Sequence, residues 1–162
     1  MSVPLTIRRA TESDLPEVLR LVRALAVFEK LEAKFVATAA DFERTLLGPE
    51  ACAECWIGQL DGRVVGYVIF FHTFSTFLGK RGMYLEDLYV EEELRGRGFG
   101  SQLFEFVVKL ARERKCGRLE WSALDWNEPA IRFYEARGAK MLDDWRMFRL
   151  DEAGIAKLTS PG

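Results

Sequence analysis

The sequence predicts an α/β (α+β) fold in a single domain spanning residues 1–162: a mixed, mostly antiparallel central sheet of about six to seven strands flanked by helices. Three observations lead there. Asp61-Gly62, a two-residue turn signal, sits between the strand-like runs Cys55 to Leu60 and Arg63 to Thr73 and marks an antiparallel hairpin. The second of those runs is nearly all apolar, which suits a strand covered on both faces. From Tyr84 onward, strand and helix patterns alternate, which adds a parallel component to the antiparallel start. A chain of 162 residues buries roughly 70% of its extended surface, so its core needs no covalent staples.

Each element has a local cause. Leu5 to Arg9 alternates as a first strand. Thr11 with Asp14 forms a capping box, and Leu15, Val18, Leu19, Val22, Leu25 and Ala26 hold one face of a helix that runs to about Lys30. Pro16 near its start is compatible with the first turn. Thr38 caps a shorter helix, Ala39 to Leu47, closed by Gly48-Pro49. After the hairpin comes a loop from Ser75 to Gly82. Tyr84 to Val90 then reads as a strand, in which the adjacent Glu86 and Asp87 are expected on opposite faces. Beyond Gly100, apolar residues at Leu103, Val107, Leu110 and Ala111 keep helical spacing. Arg118 to Ala123 reads as a strand, and Asn127, Pro129 and Gly138 cap and close a short helix. Trp145 to Leu150 is expected as a final strand, and Asp151 as the cap of a helix to Leu158.

Composition excludes several classes of function. A net charge of −2 gives no nucleic-acid footprint. The N-terminal residues lack an apolar signal core, and the longest apolar run, Val64 to Phe71, is far short of a membrane span, so a cytoplasmic protein is expected. Three cysteines without a secretion signal argue against a disulfide framework. Cys52 and Cys55 form a Cys-x-x-Cys, but a zinc site wants a second pair, and only Cys116 and the lone His72 remain. No metal is expected.

The chemistry concentrates after the acidic strand. Gly96, Gly98 and Gly100 alternate where strand gives way to helix, flanked by Arg95 and Arg97. Glycines let the backbone approach a ligand closely and turn N–H groups toward it, and a helix N-terminus is electropositive, so a phosphate or diphosphate is the natural guest. A glycine-rich connector without a ligand is the plain alternative. The spacing fits neither a Walker loop nor the dinucleotide fingerprint.

Strand, Arg-Gly-x-Gly-x-Gly and helix in mid-chain resemble the coenzyme A loop of the GNAT superfamily of acetyltransferases. Downstream, the segment from Asp125-Trp126-Asn127 through Phe133-Tyr134 to Gly138-Ala139 is similar to that superfamily's Asn, Phe-Tyr and Gly-Ala segment. With Tyr84-Leu85-Glu86-Asp87, the likeness is to the diamine acetyltransferase branch, the spermidine/spermine and thialysine enzymes. The resemblance implies a GNAT-like sheet with two strands splayed around acetyl-CoA, no metal, and a homodimer. It assigns the cofactor to Leu88, Tyr89, Val90, Arg95, Gly96, Arg97, Gly98, Phe99, Gly100 and Ser101, and to Asn127, Pro129, Ala130 and Tyr134. Phe28, Glu29, Glu86 and Asp125 are implied at the amine, with Phe28 standing where the branch has tyrosine. Tyr134 is the implied general acid and Glu86 the implied base. Asp87, facing the other side, reads as structural.

The implied activity is transfer of an acetyl group from acetyl-CoA to the primary amine of a small molecule: a thialysine or lysine-like amine, a diamine or a polyamine. Leu124-Asp125-Trp126-Asn127 is closer to the thialysine type. Two other readings stay open from sequence: acetylation of a protein or peptide N-terminus, and a non-catalytic acyl-CoA-binding regulatory module.

Overall fold

The computed structural model describes residues 3–159 and divides into two compact units, residues 1–122 and 123–162. The first unit holds a five-stranded sheet in the order β1-β2-β3-β4-β5. Its strands are β1 (Thr6–Arg9), β2 (Glu54–Leu60), β3 (Arg63–Ser75), β4 (Lys80–Val90) and β5 (Leu119–Trp121). The first four pair antiparallel, and β5 joins β4 in parallel. The helices of this unit are α1 (Leu15–Phe28), α2 (Ala39–Phe42, continued by a wider turn to Leu47) and α3 (Phe99–Glu113). The mixed class is therefore as expected, with five strands among the described residues in place of six to seven.

The local rules operate where the sequence put them. Thr11 and Asp14 form the capping box ahead of α1, and Thr38 and Asp41 form another ahead of α2. The Asp14 carboxylate also takes a bidentate pair from Arg8 at 2.7 and 2.8 Å, which ties β1 to the entry of α1. Asp61 and Gly62 take φ of 50° and 81°, the left-handed pair that closes a two-residue hairpin without splaying its strands.

The core on one side of the sheet gathers Val18 and Leu21 of α1 with Cys55, Ile57, Tyr67, Ile69 and Tyr89. Phe99, Leu103, Phe104, Val107 and Ala111 form the buried stripe of α3. Two ion clusters pin the ends of these layers. Glu91, buried just past β4, accepts from Arg20 at 2.8 Å and pairs with Arg63. Arg114, at the end of α3, grips Glu54 of β2 at 2.6 and 2.9 Å and approaches His72 Nε2 at 2.9 Å. His72 Nδ1 lies 3.1 Å from the Gly82 carbonyl; with a carbonyl as partner, that nitrogen carries the proton and Nε2 accepts from Arg114.

Three local expectations are corrected. The loop after β3 is shorter than Ser75 to Gly82, because β3 runs through Ser75 and β4 already starts at Lys80. The strand expected over Arg118 to Ala123 is trimmed to three residues. In the second unit, which carries α4 (Glu128–Glu135) and α5 (Glu152–Thr159), Trp145 to Leu150 is not a strand. Apolar and aromatic residues alone do not make one: a strand needs a neighbour to satisfy its backbone, and the segment, with Trp145 and Phe148 exposed, pairs with no strand among the described residues. Asp151 does cap α5, accepting from the Gly154 N–H at 2.8 Å.

Candidate active site

The register between β3 and β4 shifts inside the acidic segment. Ile69 opposes Asp87 and Phe70 opposes Leu85, so Glu86 has no partner across the ladder. This is a one-residue bulge centred on Glu86, and a bulge suspends the strict alternation of faces. The bulge thus removes the alternation on which the expectation of opposite faces for Glu86 and Asp87 rests. Both interact with Glu29, the C-cap of α1: Glu86 acts on the Glu29 carboxyl, and Glu29 acts on Asp87.

The three carboxyl groups are held differently. Glu86 is exposed and Asp87 half-buried. The fully buried Tyr67 phenol donates to Asp87 Oδ2 at 3.1 Å. Burial foremost pushes the Asp87 carboxyl up to about 6; the Tyr67 hydrogen bond works against this, and the charges of Glu86 and Glu29 add to it. Burial, then Glu86, raises Glu29 above the ordinary carboxylate range. Among the described residues none of the three forms an ion pair. Mutually repelling acids without a cation are the electrostatic signature of a site that takes one from outside.

The same strand leads into the glycine loop. β5 accompanies β4 only from Met83↔Leu119 to Leu85↔Trp121, so from Glu86 to Val90 that edge of β4 stands without β5. Leu88 and Val90, two apart, direct their N–H groups to one side of the strand. Gly96 and Gly98 take φ of 76° and 83°, a conformation that L side chains rarely adopt. No acidic side chain occupies the first turn of α3, so nothing of the helix's own neutralises its positive end. A Cβ at Gly96 would meet no atom within 4 Å; the loop is open there as well as left-handed. These features fit a diphosphate held on main-chain amides of Gly96 to Ser101. Arg95 donates from Nε to the Val90 carbonyl at 3.4 Å, and its guanidinium lies 4.4 Å over the Phe28 ring and 5.4 Å over Tyr89. Arg97 lies 5.2 Å over Phe99. Phe28, adjacent to Glu29, thus contacts the first residue of the loop.

The remaining expected residues lie in the second unit. Asn127 caps α4, its side-chain oxygen accepting from the Ala130 N–H at 3.4 Å, with Pro129 in the first turn. Asp125 is exposed in the turn before it. Tyr134 lies in the last turn of α4 with its ring edge-on to Phe133 at 5.2 Å, and burial pushes its phenol above the ordinary value.

Sequence reasoning assigned Asp87 to structure and passed over Tyr67 entirely. Two adjacent acids inside an apolar strand were the available sign for Asp87. Tyr67 carried none, since a tyrosine in an apolar run is an ordinary core residue.

Comparison with known proteins gives the chain its relatives. The acetyltransferase (GNAT) family model matches residues 18–139. A thialysine N-epsilon-acetyltransferase of Bos taurus is 33% identical over 163 residues, covering 94% of this chain and 95% of its own. An L-ornithine N5-acetyltransferase of Arabidopsis thaliana is 31% identical over 189 residues, covering 89% and 83%. These relatives match the diamine acetyltransferase branch that the motifs resemble. Among solved structures, an integron cassette protein from the mobile metagenome of V. cholerae superposes with a TM-score of 0.80 over 98% of this chain and 99% of its own, at 22% identity, which bears on the fold alone.

Proposed function

Because the chain belongs to the GNAT family of acetyltransferases, we propose that it transfers an acetyl group from acetyl-CoA to the primary amine of a small molecule, with lysine-like amino acids such as thialysine, together with short diamines, as the preferred acceptors. The observation that carries this reading is the uncompensated trio Glu29, Glu86 and Asp87 on the strand that enters the glycine loop. Thialysine and ornithine, named for two of the relatives, both present a terminal ammonium of the kind such a trio would hold.

An alkylammonium has a pKa of ~10.4, so at pH 7 only about one molecule in 2,500 carries a free lone pair. The acids therefore have two tasks. Glu29 and Asp87, with Asp125, hold the cation, while Glu86, exposed on the bulge, takes the ammonium proton directly or through water. The bound coenzyme supplies the activated acyl thioester. Its diphosphate would be held by the amides of Gly96 to Ser101, with the help of Arg95 and Arg97. Leu88 and Val90 N–H groups would polarise the thioester carbonyl; Tyr89 and Phe99, and separately Asn127, Pro129 and Ala130, would help to hold the coenzyme. Tyr134 gives its Oη proton to the departing sulfur. Burial makes that phenol a weaker acid, so its proton moves as the C–S bond breaks and not after it. The same reading takes residues 1–162 as one acetyltransferase domain, acting in the cytoplasm as a homodimer.

The test is release of coenzyme A thiol from acetyl-CoA across a panel of thialysine, lysine, ornithine, putrescine, spermidine and a peptide with a free N-terminus. Release dependent on the lysine-like amines or short diamines is expected. Coenzyme binding with no acceptor-dependent release would overturn the reading in favour of a binding module, and release with the peptide alone in favour of N-terminal acetylation.

A further inference from the structure

We infer that Tyr67 is a positioning residue for amine acetylation: from inside the core its phenol fixes the Asp87 carboxylate and keeps it ionised, so that Asp87 can receive the incoming ammonium alongside Glu29. The inference rests on the proposed activity and extends it to a side chain that reaches the chemistry only through another.

The geometry is specific. Tyr67 and Asp87 come from adjacent strands, and their hydrogen bond of 3.1 Å crosses the ladder one step from the bulge at Glu86. Tyr67 is fully buried, with its oxygen in a core otherwise built from Val18, Leu21, Ile57 and Ile69. A phenol O–H there must find an acceptor, and Asp87 is the one it has. The groups whose charge or hydrogen bond bears on Asp87 are Tyr67 of β3, in direct contact, and, through space, Cys55 of β2, Glu86 beside it and Glu29 at the end of α1. Two of these are carboxyl groups and none is a cation, so both burial and charge favour the neutral acid. The Tyr67 hydrogen bond is the opposing influence. Without it, Asp87 would hold its proton to higher pH and would meet an ammonium as a neutral acid over more of the working range.

The test compares kcat/KM against pH for the wild type, Tyr67→Phe, Asp87→Asn and the double variant on one accepted amine. The wild type is expected to show an inflection near the Asp87 value of about 6. Tyr67→Phe should move it upward by about 0.5 pH unit or more and raise KM for the amine more than it lowers kcat. Asp87→Asn should erase the inflection, and the double variant should match Asp87→Asn. A structural role for Tyr67 would lower the melting temperature without moving the inflection, and that result overturns the inference. So does an equal effect of Tyr67→Phe with and without Asp87. If no amine is acetylated, the functional reading falls on that ground alone. ¹³C titration of the Asp87 carboxyl then decides the pair separately: an upward move in Tyr67→Phe supports it, and an unmoved titration overturns it. Should Tyr67→Phe not fold, the wild-type Tyr67 ring signals must follow the Asp87 titration, and their failure to do so overturns it equally.

Discussion

Tyr67 and Asp87, joined by a 3.1 Å hydrogen bond between β3 and β4, put an ionisable oxygen where the protein would otherwise be oil. Natural sites that bind cations hold such groups at a cost to the fold, and that cost is measurable here. Asp87 has a folded value of about 6 against about 3.9 for an unfolded aspartate. Between these values the native state binds more protons than the unfolded one, so stability falls as pH rises through that window, and the penalty persists above it. Asp87→Asn, which keeps an acceptor for Tyr67, should therefore stabilise the protein at pH 7 by on the order of 1–3 kcal/mol and leave it nearly unchanged near pH 4. Urea unfolding at the two pH values checks this.

Glu86 sits on the bulge, exposed, with no partner across the ladder. Glu86→Gln keeps the shape and removes the proposed base. It should lower kcat/KM by about 10²-fold or more while coenzyme A affinity, measured by calorimetry, stays within a factor of about two.

Tyr134 presents the complementary case. Tyr134→Phe should lower kcat by about 10²-fold or more with coenzyme affinity nearly intact. A thioester with a more acidic leaving thiol should recover part of the loss, because it needs less protonation as it departs. An unchanged rate would remove Tyr134 from the proton path.

Gly98 takes φ of 83° at the mouth of α3. Gly98→Ala should cost about 1–2 kcal/mol in thermal or urea unfolding. Coenzyme A affinity should fall further than acceptor-independent properties do, since a rebuilt turn no longer aims its amides together. Gly100→Ala, at a helical position where a Cβ meets only Leu88 at 4.0 Å, should be milder for the fold.

Much of this was readable because it is local. The capping box at Thr11, the cap at Thr38, the turn at Asp61-Gly62 and the alternating glycines each depend on a few neighbouring residues, and the chain has them at the right spacing. The bulge at Glu86 is different in kind. It arises from how ten residues of β4 match ten of β3, and no period within β4 alone announces that one residue is surplus. That is why the period alone does not set which way Asp87 faces, and why Tyr67, which meets Asp87 only across the ladder, had no signal at all. Trp145 to Leu150 shows the converse: apolar and aromatic residues that suit a strand do not supply a partner for it.

The most direct measurement is a crystal structure of the protein with coenzyme A and an accepted amine. The expected result is the diphosphate on the main-chain amides of Gly96 to Ser101 and the amine nitrogen within hydrogen-bond reach of Glu29, Glu86 or Asp87. A diphosphate seated elsewhere, or an amine held away from all three acids, would contradict it.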